Sequence, residues 1–259
     1  MAPLRVFSYL PNPRVWKALI AADLCGVEVE VVGDKPHKLG TWLWDFNARE
    51  LTDAERTEDS PYARVSRRGF SGTLYKTDEF LRAQPFGTVP AAFSGDGRVG
   101  IFESGSILRS VVRAAKDDRG LYGRDHYAAS RIDSFLDASL VFAREAQVYL
   151  LAADSMNAVT SERMAGAYGN PPDASSRALD GSRYIAGEEL SIADIGIACD
   201  LAQFLRERLM AERLAATGFT PISAGLEVDY PRVTAHLREL ARVPFPSNIL
   251  AASAALLSQ

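Results

Sequence analysis

Residues Phe86 to Arg113 constrain the fold of this chain more than any other stretch, because they describe a strand, a tight turn, a second strand and the start of a helix. The first strand opens at the Val89-Pro90 bond. Proline cannot donate to a sheet ladder, so it is confined to a sheet edge, a bulge or a strand start, and only an X-Pro bond readily adopts the cis form. The residues Ser94-Gly95-Asp96-Gly97 suit a turn with positive φ. The stretch therefore predicts a β-hairpin followed by a helix.

The junction between this hairpin and the helix places a negative charge beside backbone donors. The helical spacing of Ile107, Leu108 and Val111 puts Ser104 at or next to the N-cap, directly after Glu103. A helix N-terminus favours a bound carboxylate, and Glu103 offers a partner to an ammonium group. An α-amino acid would find both partners here. The alternative is that Ser104 is only a helix cap and Glu103 only a surface charge.

The N-terminal residues predict a β-α-β unit. Leu4 to Tyr9 and Val27 to Val32 have the pattern of strands. Between them, Asn12 is a suitable N-cap and Pro13 a suitable first helical residue. A right-handed crossover makes the two strands parallel. With a further helix expected at Thr77 to Ala83 and the hairpin, the order predicts a thioredoxin-like α/β domain.

The connection at about residues 34–76 is longer than such a domain needs, and we treat it as an insertion. It carries Trp42, Trp44 and Phe46 near its start. These rings either cover an apolar site or pack the insertion onto its own domain. A basic run, Arg64-Val65-Ser66-Arg67-Arg68, is typical of a solvated loop.

We place the first domain at residues 1–115 and, after a polar linker, a helical domain at residues 124–259. A long helix is predicted to end near Leu151, and a second one to cover Val159 to Gly166. Asn170-Pro171-Pro172 predicts a loop that lasts to Gly181. Ser191 and Asp194 have capping-box spacing and fix the start of a central helix, so Asp194 is interpreted as structural.

The composition of the chain argues against several classes of function. The 259-residue chain has a net charge of -4 and little clustering of Lys and Arg, which does not indicate nucleic-acid binding. It shows neither a signal peptide nor an apolar run of membrane-spanning length. Cys25 and Cys199 read as buried thiols, and His37, His126 and His236 are too far apart for a metal motif. We expect a cytoplasmic protein without a metal.

Two motifs resemble the glutathione transferase superfamily. Pro85-Phe86-Gly87-Thr88-Val89-Pro90, followed by Phe102-Glu103-Ser104-Gly105-Ser106-Ile107, is similar to that family's N/F-P-x-G-K-V-P and E-S-x-A-I, differing at Thr88 and Ser106. Gly187 to Asp194 is similar to its cap G-x-x-L-S/T-x-A-D. The resemblance implies a thioredoxin-like domain followed by an all-α bundle that contributes the substrate pocket and dimer contacts. It also implies that Val89, beside a cis-Pro90, pairs with the cysteinyl unit of glutathione, while Glu103 and Ser104 hold its γ-glutamyl end.

The resemblance implies a transfer reaction in which glutathione is a cosubstrate. Its thiolate attacks a small hydrophobic or aromatic electrophile. The family's hydrogen-bond donor to sulfur follows the first strand, and here Ser8, Tyr9 and Asn12 all remain open. Arg14 adds a positive charge in the first helical turn.

The substrate class is indicated only by aromatic content and by kinship. Phe142, Tyr149 and Trp42 suggest an aromatic substrate, and cleavage of β-aryl ethers of lignin aromatics is a specific form known in bacterial relatives. The family also implies a homodimer, or a heterodimer with a related subunit.

A non-catalytic alternative comes from the same resemblance. Trp16 to Ala22, Pro36-His37 and Glu79 to Arg82 look most like the transferase-like domain of the elongation factor 1 gamma subunit. That likeness implies an assembly module rather than an enzyme.

Overall fold

The computed structural model describes residues 4–66, 70, 72–243 and 249–258. The chain divides into two compact units, Met1–Ala115 and Lys116–Gln259. The strands, all in the first unit, are β1 (Leu4–Phe7), β2 (Val29–Val32), β3 (Trp42–Trp44), β4 (Arg49–Glu50), β5 (Ala63–Val65), β6 (Thr73–Lys76), β7 (Ala91–Phe93) and β8 (Gly100–Phe102). The helices of that unit are α1 (Pro13–Cys25), α2 (Asp78–Ala83) and α3 (Ser104–Ala114).

The first sheet has the strand order β2-β1-β7-β8 and confirms the predicted β-α-β unit and hairpin. Strand β1 is parallel to β2, and β7 is antiparallel to both β1 and β8. Helix α1 begins after Asn12, whose Oδ1 accepts from the Arg14 N–H, and ends at Gly26 in the left-handed conformation. Helix α2 begins after Thr77, as predicted. Local capping residues therefore set these boundaries.

The sheet order decides among the positions that were open to Pro90. Strand β7 is an internal strand, and the edges of the first sheet are β2 and β8. Pro90 stands immediately before β7, so its missing N–H removes no bond from the ladder. Of the positions open to this proline, the strand start is the one observed.

The insertion forms a second four-stranded sheet with the order β4-β3-β6-β5. Trp44 is fully buried, and its ring contacts those of Phe7 and Phe80 at centroid distances of 5.5 and 5.8 Å. Phe46 packs edge-on against Phe93. The aromatic residues thus pack the insertion onto its own domain, and the idea that they cover a separate apolar site is wrong.

The basic run is not a loop in its described part, because β5 covers Ala63–Val65 and pairs with β6. Arg67 and Arg68 lie outside the described residues.

The second unit is helical. Its helices are α4 (His126–Leu151), α5 (Ala158–Gly181), α6 (Ile192–Phe204), α7 (Ala211–Ala216), α8 (Leu226–Asp229), α9 (Pro231–Leu240) and α10 (Ile249–Ala255). The predicted loop after Asn170 is wrong, since α5 continues through Pro171 and Pro172. Both prolines are buried, as are Ser175 and Leu179 further along, and this packing offsets the lost backbone bonds.

Helix α6 is buried along its whole length, and its start confirms the predicted capping box. Asp194 accepts from the Ser191 N–H and hydroxyl at 2.9 and 2.8 Å and from the Ile185 N–H at 2.8 Å. It also lies 2.9 Å from His236 Nε2. Asp194 therefore holds the α6 start in place.

Among the described residues, none of the helices combines the length and the apolar composition that a membrane span requires.

The turn after β2 generates the first prediction. Gly33 has φ of +150°, and a Cβ there would lie 1.7 Å from the Ser8 carbonyl oxygen. We expect Gly33→Ala to lower the free energy of unfolding by roughly 3 kcal/mol, because backbone must move to relieve the clash. Denaturant unfolding measures this value. The control is Gly40→Ala, where no heavy atom lies within 4 Å, and equal stability of the two variants would contradict the account.

Candidate functional site

Backbone pairing brings three separate segments to one edge of the first sheet. Phe7 pairs with Ala91, and Ala91 pairs with Phe102. The next residue beyond this row is Ser8 at the end of β1, Pro90 before β7 and Glu103 after β8. Neighbouring strands are spaced about 4.8 Å apart, so these residues follow one another across the edge. We call Ser8, Val89, Pro90, Glu103 and Ser104 the edge site.

The middle of the edge site is held by the loop that precedes β7. The Val89-Pro90 bond is cis, as the resemblance implies, and Pro90 is buried. Buried Gln84 donates through Nε2 to the Thr88 carbonyl and hydroxyl oxygens at 3.0 and 2.9 Å. Gly87 N–H donates to the Gln84 carbonyl at 2.9 Å. The backbone of partly buried Val89 is therefore presented in a fixed position.

Glu103 and Ser104 form the end of the edge site at the start of α3. Glu103 has φ of 65° and ψ of 130°, a conformation that costs a non-glycine residue about 1–3 kcal/mol. Its side chain is exposed, whereas Ser104, the first residue of α3, is 4% exposed. An exposed carboxylate thus stands next to a buried hydroxyl and to the free N–H groups of a helix N-terminus. This arrangement suits the ammonium and carboxylate groups of an α-amino acid.

The candidate sulfur donors lie at the opposite end of the edge site. Asn12 Nδ2 donates to Ser8 Oγ at 2.9 Å, and Asn12 Oδ1 caps α1, so the Asn12 carboxamide is engaged locally. Ser8 Oγ accepts this bond and keeps its own proton to donate. Both residues are almost completely buried. Tyr9 is partly buried against the apolar cluster around Trp44, and Arg14 is also partly buried. The geometry brings Ser8 and Asn12 together at the edge.

The aromatic residues expected to indicate an aromatic substrate belong to packed interiors. Phe142 and Tyr149 are 3% and 1% exposed and contact the Phe204 ring at 5.4 and 6.2 Å. Burial raises the pKa of the Tyr149 phenol, so it stays protonated at neutral pH. Trp42 packs against Phe7. Phe142 and Tyr149 are therefore core residues and Trp42 is partly buried against the core, so their number carries no information about substrate.

One functional candidate was missed in the sequence. Lys76, the last residue of β6, is buried and lines a cavity of about 650 Å³. A lysine that ends an apolar strand immediately before the helix cap Thr77 was the available signal. The signal was obscured because this stretch was assigned to a connection.

Comparison with known proteins supports the resemblance, although no family model matches the chain. A glutathione S-transferase-like protein, LUC7, from Fusarium sp is 26% identical over 200 residues, which is 75% of either chain. Elongation factor 1-gamma 2 from Oryza sativa subsp. japonica is 29% identical over 197 residues, covering 73% of this chain. The human elongation factor 1-gamma is 27% identical over 213 residues, covering 81% of this chain. The matches span only 38% and 40% of those two elongation factors.

Solved structures show the same fold. Glutathione transferase F2 from Populus trichocarpa has a TM-score of 0.63 at 17% identity, over 98% of this chain and 100% of that one. A glutathione S-transferase from Methylobacillus flagellatus KT with glutathione bound has a TM-score of 0.63 at 13% identity, over 97% and 98%. Glutathione S-transferase-I bound with lactoylglutathione has a TM-score of 0.59 at 20% identity, over 98% and 100%. The predicted fold, a thioredoxin-like unit followed by a helical one, is confirmed.

The backbone at Glu103 generates the second prediction. At an ordinary position glycine is less stable than alanine by about 0.5–1 kcal/mol, but at φ of 65° alanine is strained and glycine is not. We expect the free energy of unfolding of Glu103→Gly to be about 1 kcal/mol higher than that of Glu103→Ala. Denaturant unfolding measures both values. The matched pair Glu79→Gly and Glu79→Ala, at an exposed position in α2, should show the opposite order. The same order at both positions would rule out the strain.

Proposed function

We propose that this chain, whose resemblance to the glutathione transferase superfamily is confirmed in sequence and in fold, binds glutathione at the edge site and activates its thiol. The observation that carries the proposal is the strand register. Continued by one residue beyond the row of Phe7, Ala91 and Phe102, the register leads to Ser8, Pro90 and Glu103, with Val89 directly before Pro90 in the chain. An extended peptide with an α-amino acid at one end would meet a suitable partner at each position.

Each part of the edge site has a distinct binding role in this proposal. The Glu103 carboxylate pairs with the ammonium group of the γ-glutamyl unit. The Ser104 hydroxyl and the N–H groups at the start of α3 bind its α-carboxylate. The Val89 backbone pairs with the cysteinyl amide, as an added strand would. The cysteinyl sulfur then extends towards the end of β1.

In this proposal, Ser8 activates the thiol of bound glutathione. A free thiol has a pKa of about 8.5, so the thiolate needs a hydrogen-bond donor and a positive potential. Ser8 retains a proton to donate, while Asn12 orients its oxygen. The start of α1 follows within a few residues and supplies a partial positive charge, to which Arg14 adds. We assign Ser8 as the donor, Asn12 as the positioning residue, and leave Tyr9 as the alternative donor.

The proposed reaction is a displacement at a small, hydrophobic or aromatic electrophile. The thiol proton passes to solvent, the sulfur forms a bond to carbon, and the leaving group departs with the electron pair of the broken bond. A halide leaves in a conjugation, and a phenolate leaves in the cleavage of a β-aryl ether. Both reactions require the same activated thiolate, so the edge site supports either.

A second candidate function is a non-catalytic assembly module like that of elongation factor 1-gamma. Two observations favour it: the identity of 27–29% to those factors, and the burial of Ser8, whose exposure of 0% is lower than a donor to a ligand needs before the ligand binds.

Under either candidate function, α4 supports pairing with an identical or related subunit, because it exposes the apolar residues Val141, Val148 and Leu151. Sedimentation velocity would detect this pairing.

The binding role of Ser104 is tested by substitution. Ser104→Ala removes a hydrogen bond to a charged group, worth about 1.5–3 kcal/mol, and should raise the Kd for glutathione roughly 10- to 100-fold. Isothermal titration calorimetry gives the Kd. Ser106→Ala, two residues further along α3, is the control and should bind like the unchanged chain. Absence of binding by the unchanged chain at millimolar glutathione would refute the proposal outright.

The catalytic role of Ser8 separates the two candidate functions. We expect Ser8→Ala to bind glutathione normally but to raise the pKa of the bound thiol by about one unit, since one donor to sulfur is lost. The ultraviolet absorbance of the thiolate against pH measures this value, with Tyr9→Phe as the comparison. Turnover of chlorodinitrobenzene and of a β-aryl ether should fall about tenfold in Ser8→Ala. Glutathione binding without turnover of either substrate by the unchanged chain would favour a glutathione-binding protein without turnover, whereas co-purification with nucleotide-exchange or tRNA-synthetase partners would favour the assembly module.

A further inference from the structure

Two tyrosine hydroxyl groups are buried in the core of the second unit without a direct partner. Tyr149 on α4 is almost completely buried, and the hydroxyl of Tyr168 on α5 is buried although the residue as a whole is partly exposed. Neither hydroxyl makes a hydrogen bond to a residue that the structure describes. A buried polar group without a hydrogen bond is costly, so two of them in one core require an explanation.

The two tyrosines share their surroundings at the end of α6. Both rings pack against that of Phe204, the last residue of α6, at centroid distances of 6.2 Å for Tyr149 and 5.4 Å for Tyr168. Glu207 follows Phe204 by three residues and is completely buried. Burial is the main cause of a raised pKa in both phenols, and the Glu207 charge raises each pKa further. The two hydroxyls and the carboxylate therefore lie in one region of the core.

The Glu207 carboxylate accepts fewer hydrogen bonds than it has positions for. Its Oε2 accepts from the Ile222 N–H at 3.0 Å, and its Oε1 accepts from the Ser223 N–H. An ionised carboxylate has about four lone-pair sites, so roughly two remain for other donors. A buried carboxylate is tolerated when its remaining sites also receive hydrogen bonds. Two donors that lack an acceptor thus lie near an acceptor with sites to fill.

Water has the chemistry that would connect these three groups. Polar groups that are near each other but beyond direct hydrogen-bond distance are commonly bridged by a water molecule. Water accepts two hydrogen bonds and donates two, so one molecule can accept from both phenols and donate to Glu207. Three bonds are typical of a buried water. The buried rings of Phe142 and Phe204, whose centroids are 5.4 Å apart, favour a ligand no larger than this.

We propose that the second unit binds an ordered water molecule at the end of α6, which accepts from the Tyr149 and Tyr168 hydroxyls and donates to the Glu207 carboxylate. Through Glu207, this water joins α4 and α5 to the turn that begins at Ile222. All of the residues involved belong to the second unit, whereas the edge site belongs to the first. The inference therefore does not rest on the proposed binding of glutathione.

The direct test is a crystal structure of the intact chain at a resolution that shows ordered water. We expect electron density for one water within about 3.2 Å of the Tyr149 hydroxyl, the Tyr168 hydroxyl and a Glu207 carboxylate oxygen. A direct hydrogen bond from either phenol to Glu207, a water that misses one of the phenols, or no density at this position would each overturn the proposal. This test needs no variant, so it does not depend on the folding of one.

A second test removes each hydroxyl while keeping the ring. Tyr149→Phe and Tyr168→Phe should each raise the unfolding equilibrium constant about fivefold, measured by urea denaturation, because a hydrogen bond to the water is lost. The double variant should show less than the product of the two effects, since both hydroxyls bind the same molecule. The control is Tyr127→Phe, at a tyrosine of α4 that is 77% exposed, and it should leave the constant unchanged.

The opposite result has a clear meaning. Removing a buried hydroxyl that has no partner relieves a cost, so the unfolding constant would then stay the same or fall. Either outcome in Tyr149→Phe or Tyr168→Phe would overturn the proposal. Effects that multiply fully in the double variant would also overturn it, because they would show that the two hydroxyls do not share one water.

Discussion

The pairing of Phe7 with Ala91 and of Ala91 with Phe102 is the constraint on which both the core and the edge site depend. Side chains alternate between the faces of a strand, so slipping β7 by one residue would turn Phe93 and Ala91 away from the buried cluster around Trp44. The same slip would separate Pro90 from Ser8 and Glu103. Apolar packing therefore fixes the geometry of a polar site, although none of the site residues supplies much of the packing energy.

The strained backbone at Glu103 follows from the same framework. On one side Phe102 is fixed by its pairing in β8, and on the other Ile107 and Leu108 are buried on α3. The chain has one residue in which to turn from the strand into the helix, and Glu103 adopts φ of 65° to do so. A glycine would turn more easily but would carry no carboxylate. A glutamate at a strained position is consistent with the binding role that we propose for Glu103.

Local chemistry made much of the fold predictable from sequence. Asn12 before Pro13, Ser191 before Asp194, and the turn after Ser94 each specify their backbone through nearby side chains. Features decided by distant contacts were not predictable. Pro171 stays helical only because α5 is packed, and strands of two to four residues, such as β4 and β6, are too short to show alternation.

The edge site was predictable in part for a related reason. Val89, Pro90, Glu103 and Ser104 occur in motifs whose spacing is local. The choice among the candidate sulfur donors was not predictable, because the relation of Ser8 to Asn12 depends on the path of a turn that contains two prolines. The cavity at Lys76 could not be predicted from the sequence, because it depends on contacts between distant residues. The Lys76 ammonium group lies over the Trp44 ring, and Trp44 packs on Phe7, the residue before Ser8. Because Trp44 belongs to the insertion and Phe7 to β1, the insertion and the edge site share one core. Aromatic contacts of this kind contribute about 0.5–1.5 kcal/mol each beyond burial. The insertion is consequently part of the framework that positions Ser8.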